Sequence, residues 1–167
     1  SRLSLVELMI DSPALSVPEY TRKNASLPTN GSAATLNTSA LKVGDINGDG
    51  RMDILQPSGW WEQPANNTGS DPWPFHPEYF GRGGAEISVY DVNGDGRNDV
   101  VTSIEAHGWG VSWFEQKLRD GAISFVEHPI MGDFSTPNAG DVVFSQPHAS
   151  TIGDMDGDGI PDLVIGK

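Results

Sequence analysis

Three nine-residue segments, aligned without gaps, constrain this chain more than any other feature: they run from Asp45 to Asp53, from Asp91 to Asp99 and from Asp154 to Asp162. Each carries acidic or amide side chains at positions 1, 3, 5 and 9, and glycine at position 6. In the first segment these are Asp45, Asn47, Asp49 and Asp53; in the second Asp91, Asn93, Asp95 and Asp99; in the third Asp154, Asp156, Asp158 and Asp162. A hard cation such as Ca²⁺ takes six to eight oxygen ligands, and alternate side chains of a tightly curled loop can converge on one point. Position 7 (Arg51, Arg97 and Ile160) is expected to supply its backbone carbonyl, which explains why its side chain varies. Gly50, Gly96 and Gly159 permit the sharp turn. Without a cation, several carboxylates packed together repel one another. A solvated Asp- and Asn-rich turn accounts for one such segment, but not for three in the same register. The expected cofactor is therefore Ca²⁺, at three sites.

The loops differ from helical calcium loops. An EF-hand closes its ligand shell with Glu at position 12, where this chain has Gln56, Thr102 and Ile165. Position 9 leads directly into ILQ, VVTS and LVIG, which are short strand-favouring runs. Dockerin-like loops share the opening but need a following helix and two loops close together. The loops here begin 46 and 63 residues apart.

Composition follows from the loops. The chain has 23 acidic and 10 basic residues for a net charge of -13, and the loops hold ten of the 23 acids. Three bound Ca²⁺ ions would bring the formal charge to -7. The acidic surplus argues against nucleic-acid and anionic-membrane partners, because both need a basic face. No run of about 18 apolar residues is present to span a bilayer, and the chain opens without the basic-then-apolar pattern of a signal peptide. The absence of cysteine excludes disulfides, thiolate metal sites and a cysteine nucleophile.

The repeat is longer than the loop. Trp60-Trp61-Glu62-Gln63 follows the first loop and Trp113-Phe114-Glu115-Gln116 the second, and each is followed by a His-Pro pair, His76-Pro77 and His128-Pro129. The unit reads as loop, strand, W[WF]EQ strand, His-Pro strand and a further strand into the next loop. Four short strands in about 45 to 60 residues is the size of one propeller blade. The aromatics are expected to pack blade against blade, with a sugar-stacking platform as the sharper alternative. The 17 extra residues of the second interval are expected between Gly108 and Pro147, as insertions on one face.

The stretch FGRGGAEISVYDVNGDGRNDVV, from Phe80 to Val101, resembles an FG-GAP or VCBS repeat, with Phe80-Gly81 and Gly84-Ala85 ahead of the loop. The resemblance covers about residues 40 to 167 and implies an all-β fold of calcium-bearing blades of an integrin-like β-propeller. More narrowly, GWWEQP, AHGWGVSWFEQK, HPIMGDF and FSQPHA resemble the propellers of large secreted bacterial proteins and of aldos-2-ulose dehydratase-type enzymes. No cupin-like segment accompanies them. Three loops imply about three blades, a partial propeller, whereas complete propellers have four to eight. A blade ending soon after the third loop would expose a strand edge. The expected partners are therefore other copies of this chain or the rest of a longer propeller, with strand donation as one means of covering the edge.

Residues 1–40 form a separate Ser/Thr/Asn-rich segment ahead of the repeats at 41–167. Its first ten residues fit either a strand or a short helix. Asn24, Asn30 and Asn37 are candidate glycosylation sites, and Asn66 is a fourth. Their use would place the chain outside the cell, as a secreted or cell-surface protein. No nucleophile elbow, phosphate loop or zinc-protease motif is present. His76 and His128 occupy equivalent repeat positions and read as structural. His107, His148 and Glu105 break that pattern and are the weak catalytic candidates, as an acid-base group or metal site lining a central channel. The favoured reading is a secreted calcium-binding propeller module with a structural, adhesion or assembly role, with extracellular carbohydrate or protein as further partners. The alternative is a propeller segment of a carbohydrate-active lyase or dehydratase.

Overall fold

The runs that follow each position-9 aspartate form the central strands of three sheets. A computed structural model of the protein describes residues 5–7 by their backbone, and residues 41–66, 72–136, 138, 140 and 142–167 in full. Eleven strands and no α-helix occur among them: β1 (Leu5–Glu7), β2 (Lys42–Gly44), β3 (Asp53–Gln56), β4 (Gly59–Trp61), β5 (Phe75–Pro77), β6 (Ile87–Tyr90), β7 (Asp99–Ser103), β8 (Val111–Arg119), β9 (Ala122–Met131), β10 (Ala149–Gly153) and β11 (Asp162–Gly166). All five residues of β7 are buried, as expected for an apolar strand covered on both faces.

Two sheets are complete four-stranded antiparallel blades, in the orders β2-β3-β4-β5 and β6-β7-β8-β9. The strand types foreseen from the repeat recur in both, but the strand that leads into each loop pairs with the strand that leaves it, so each blade begins one strand ahead of its loop rather than at it. The third sheet has the order β1-β11-β10. Strands β10 and β11 repeat the β2-β3 and β6-β7 pairs, but the next place is filled by β1, which runs parallel to β11 with Leu5, Val6 and Glu7 opposite Leu163, Val164 and Ile165. Leu5–Glu7 thus form a strand, and the edge expected to be open after the third loop is paired within the chain.

The blades pack side by side through two apolar cores. Ile46, Leu55 and Trp60 of the first blade, with Phe80, meet Ile87, Val100 and Phe114 of the second. Val101, Val111 and Met131 of the second meet Phe144, Leu163 and Ile165 of the third. Strands β2, β6 and β10 lie innermost, and with Lys42, Val89, Tyr90, Ile152, Asp154 and Pro161 they line an open groove of about 440 Å³. Lys42 Nζ reaches Glu86 Oε2 across the first two blades at 2.6 Å. The Phe-Gly…Gly-Ala signature has a packing cause: Phe80 is fully buried, edge-on to Phe114 and Phe125. At Gly84 a Cβ would fall 1.6 Å from the Ser103 carbonyl oxygen, so only glycine fits.

Thirteen of the 17 extra residues of the second interval occupy two places. The β3-β4 connection has two residues and the β7-β8 connection seven; the β5-β6 connection has nine and the β9-β10 connection 17. The first insertion, residues 104–110, begins ahead of the expected Gly108 boundary. By strand alternation both lengthened connections lie at the end of the blades opposite the aspartate loops. The β8-β9 hairpin closes through Asp120 and Gly121, both at positive φ (52° and 81°), as a two-residue Asp-Gly turn requires.

Candidate metal centres

Each loop joins an innermost strand to its neighbour: β2 to β3, β6 to β7 and β10 to β11. The first residue curls it. Asp45 Oδ1 accepts from the amides of Gly48 and Asp49 at 2.8 and 3.0 Å, and Oδ2 from Gly50 at 2.8 Å. Asp91 repeats this with Gly94, Asp95 and Gly96 at 2.8, 3.0 and 2.8 Å. Asp154 accepts from Gly157 and Gly159 at 2.7 and 3.0 Å. Glycine is needed at position 6, where φ is 82° to 84°, and equally at position 4, where Gly48, Gly94 and Gly157 have φ of 74° to 80°. The second requirement was not drawn from the sequence, although the NGDG and DGDG runs display it.

Position 9 is the buried anchor. Asp53 accepts from Ile46 N and Gln63 N, both at 2.9 Å. Asp99 accepts from Val92 N at 3.1 Å and Gln116 N at 2.8 Å, and Asp162 from Met155 N at 2.9 Å. These aspartates tie the start of the loop to the strand that leaves it and, in the first two blades, to the W[WF]EQ strand. Burial pushes the Asp53 carboxyl above its usual value, against the pull of the Gln63 and Ile46 amides, and Asp49 and Asp45 add to the rise. Burial does the same to Asp99, opposed by the Gln116 amide, the Trp113 side chain and the Val92 amide. A carboxylate held buried beside other aspartates is a group that a bound cation would stabilise.

Positions 3 and 5 distinguish the loops. Asn47, Asn93 and Asp156 each accept the amide two residues on, at 3.2, 2.9 and 3.1 Å. In loops 1 and 2 the position-5 carboxylates, Asp49 and Asp95, form ion pairs with Arg51 and Arg97. The same guanidinium groups donate to the Gln63 and Gln116 carbonyls at 2.9 and 3.3 Å. In loop 3 Ile160 replaces the arginine, and carboxylate oxygens of Asp154, Asp156 and Asp162 lie within 4.8 Å of one another. Asp158 stands outside that group and accepts from Ile160 N at 2.7 Å. The all-oxygen donor set fits a hard cation such as Ca²⁺.

Two side chains, Asn98 and the Gln116 of the W[WF]EQ motif, join loop 1 to the second blade. Asn98 Nδ2 donates to the Asp45 carbonyl at 2.6 Å, and Gln116 Nε2 donates to the Ile46 and Asn98 carbonyls at 2.7 Å each. The repeated EQ pair was the available signal, and only the packed blades reveal what it reaches.

His76 stacks on Trp60 (4.1 Å, 13°) and His128 on Trp113 (4.5 Å, 24°). Their Nε2 atoms lie 2.9 and 3.1 Å from Glu62 and Glu115 Oε2, so the Trp-Glu…His unit is built alike in both blades. His107 and His148 meet edge to face at 4.8 Å. Both are exposed, as is Glu105, and they belong to the lengthened connections rather than to the groove along β2, β6 and β10. Asn66 is exposed, while Asn24, Asn30 and Asn37 lie outside the described residues. Among the described residues no helix is long and apolar enough to cross a membrane.

Antiparallel four-stranded blades, packed flank to flank with a loop after each innermost strand, define a β-propeller-type repeat protein. Residues 91–165, from the start of loop 2 into β11, match an FG-GAP-like repeat. No curated protein and no solved structure gives a significant match.

Proposed function

We propose that the chain is a calcium-stabilised propeller module in which loops 1, 2 and 3 each hold one Ca²⁺, and that it serves structure, adhesion or assembly outside the cell. The observation that carries the reading is the recurrence of one acidic loop at one place in three blades, with three carboxylates of loop 3 drawn within 4.8 Å. Asp45, Asn47, Asp49 and Asp53 are the proposed side-chain ligands of loop 1, with Arg51 giving its carbonyl. Asp91, Asn93, Asp95 and Asp99 with Arg97 serve loop 2, and Asp154, Asp156, Asp158 and Asp162 with Ile160 serve loop 3. A cation would offset the repulsion among these carboxylates and tie each innermost strand to the next. The proposed partners are further blades, from another copy or the same polypeptide, and extracellular carbohydrate or protein.

Isothermal titration of the chelator-treated chain with Ca²⁺ tests the reading. Three equivalents should bind, and Asp156→Ala should remove one. No heat beyond dilution at millimolar Ca²⁺ would refute it.

A further inference from the structure

We infer that loops 1 and 2 fill as a coupled pair through Asn98 and Gln116, while loop 3 stands outside this coupling. The inference rests on the calcium reading and adds to it an interaction between sites. Asn98 precedes Asp99, the position-9 residue of loop 2, and its side-chain amide grips the first carbonyl of loop 1 at 2.6 Å. Gln116 holds Asp99 Oδ1 through its backbone amide at 2.8 Å and the second carbonyl of loop 1 through its side chain at 2.7 Å. It also closes onto the Asn98 carbonyl at 2.7 Å. Asp99, Gln116 and Ile46 are all buried, so water does not compete for the bonds of Gln116 to Asp99 and Ile46.

Ordering loop 2 around a cation fixes Asp99, and with it the two amides that hold the backbone of loop 1. The second cation then meets a loop whose ordering has been met in part, which is positive coupling without a change of fold. Coupling of this kind is typically worth about fivefold or more in affinity. Loop 3 lacks the device, because Pro161 stands at the position of Asn98 and has no side-chain amide.

The position-6 amides of Gly50, Gly96 and Gly159 each donate to the first aspartate of their own loop, so each reports its own site by nuclear magnetic resonance. In a Ca²⁺ titration of the whole chain, Asp95→Ala should silence Gly96 and raise the midpoint at Gly50 about fivefold, leaving Gly159 in place. In an Asn98→Ala, Gln116→Ala background the same substitution should no longer move Gly50. That comparison subtracts any general loss of stability caused by either change. An unmoved Gly50 midpoint with Gly96 silenced overturns the coupling while leaving the calcium reading intact. No Ca²⁺ shift at any of the three glycines overturns both.

Discussion

Arg51 and Arg97 turn their guanidinium groups onto the aspartates two residues earlier, so in loops 1 and 2 a cation must compete with an internal positive charge. Loop 3 has Ile160 there and four aspartates. It should bind Ca²⁺ most tightly, and Ile160→Arg should weaken it by about tenfold, the equivalent of roughly 1.4 kcal/mol; titration followed at Gly159 checks this. Asp53 and Asp99 set a pH dependence whose sign differs with the cation. Their folded-state values lie above the usual 3.8, so the folded chain holds more protons than the unfolded one and these groups favour folding as pH falls through that interval. In chelator, acidification from neutrality toward about pH 4 should therefore cost the native chain less stability than it costs Asp53→Asn, as read by thermal melts. In Ca²⁺ the order should reverse, because protons displace the ion. The three acidic loops were legible from spacing alone, since side chains in one loop are neighbours in sequence. Asn98 and Gln116 were not, because their partners lie 53 and 70 residues away.

At the level of strands, Trp60 joins the two uses of the W[WF]EQ motif: it is buried in the first inter-blade core and stacks on His76. Trp60→Ala should cost about 3 to 5 kcal/mol by the usual scale for aromatic deletions from a core. Trp61, half-buried and tilted against Phe75 at 4.8 Å, should cost no more than about 1.5 kcal/mol. Urea denaturation of the two variants separates them. The strands themselves were readable from the short strand-favouring runs after each loop and from the repeated W[WF]EQ and His-Pro motifs. The division of the inserted residues between residues 104–110 and 132–148 was not, because loop length within a repeat leaves no periodic mark.

For the whole molecule, the parallel pairing of β1 with β11 could not be foreseen. Three residues carry no register information of their own, and parallel strands distant in sequence are joined only by folding. Deleting residues 1–7 strips β1 from that ladder and bares the β11 edge, so it should lower the melting temperature and promote self-association, as seen by light scattering. The central claim is that cations in three loops hold the blades together, and thermal melting in Ca²⁺ against chelator tests it most directly. Sites of extracellular strength, with Kd about 10⁻⁴ to 10⁻³ M, contribute about 1.4 kcal/mol each at tenfold excess, or about 4 kcal/mol for three. At about 2 to 4 °C per kcal/mol for a chain of this size, the melting temperature should fall by about 8 to 16 °C in chelator. An unchanged melting temperature would contradict the account.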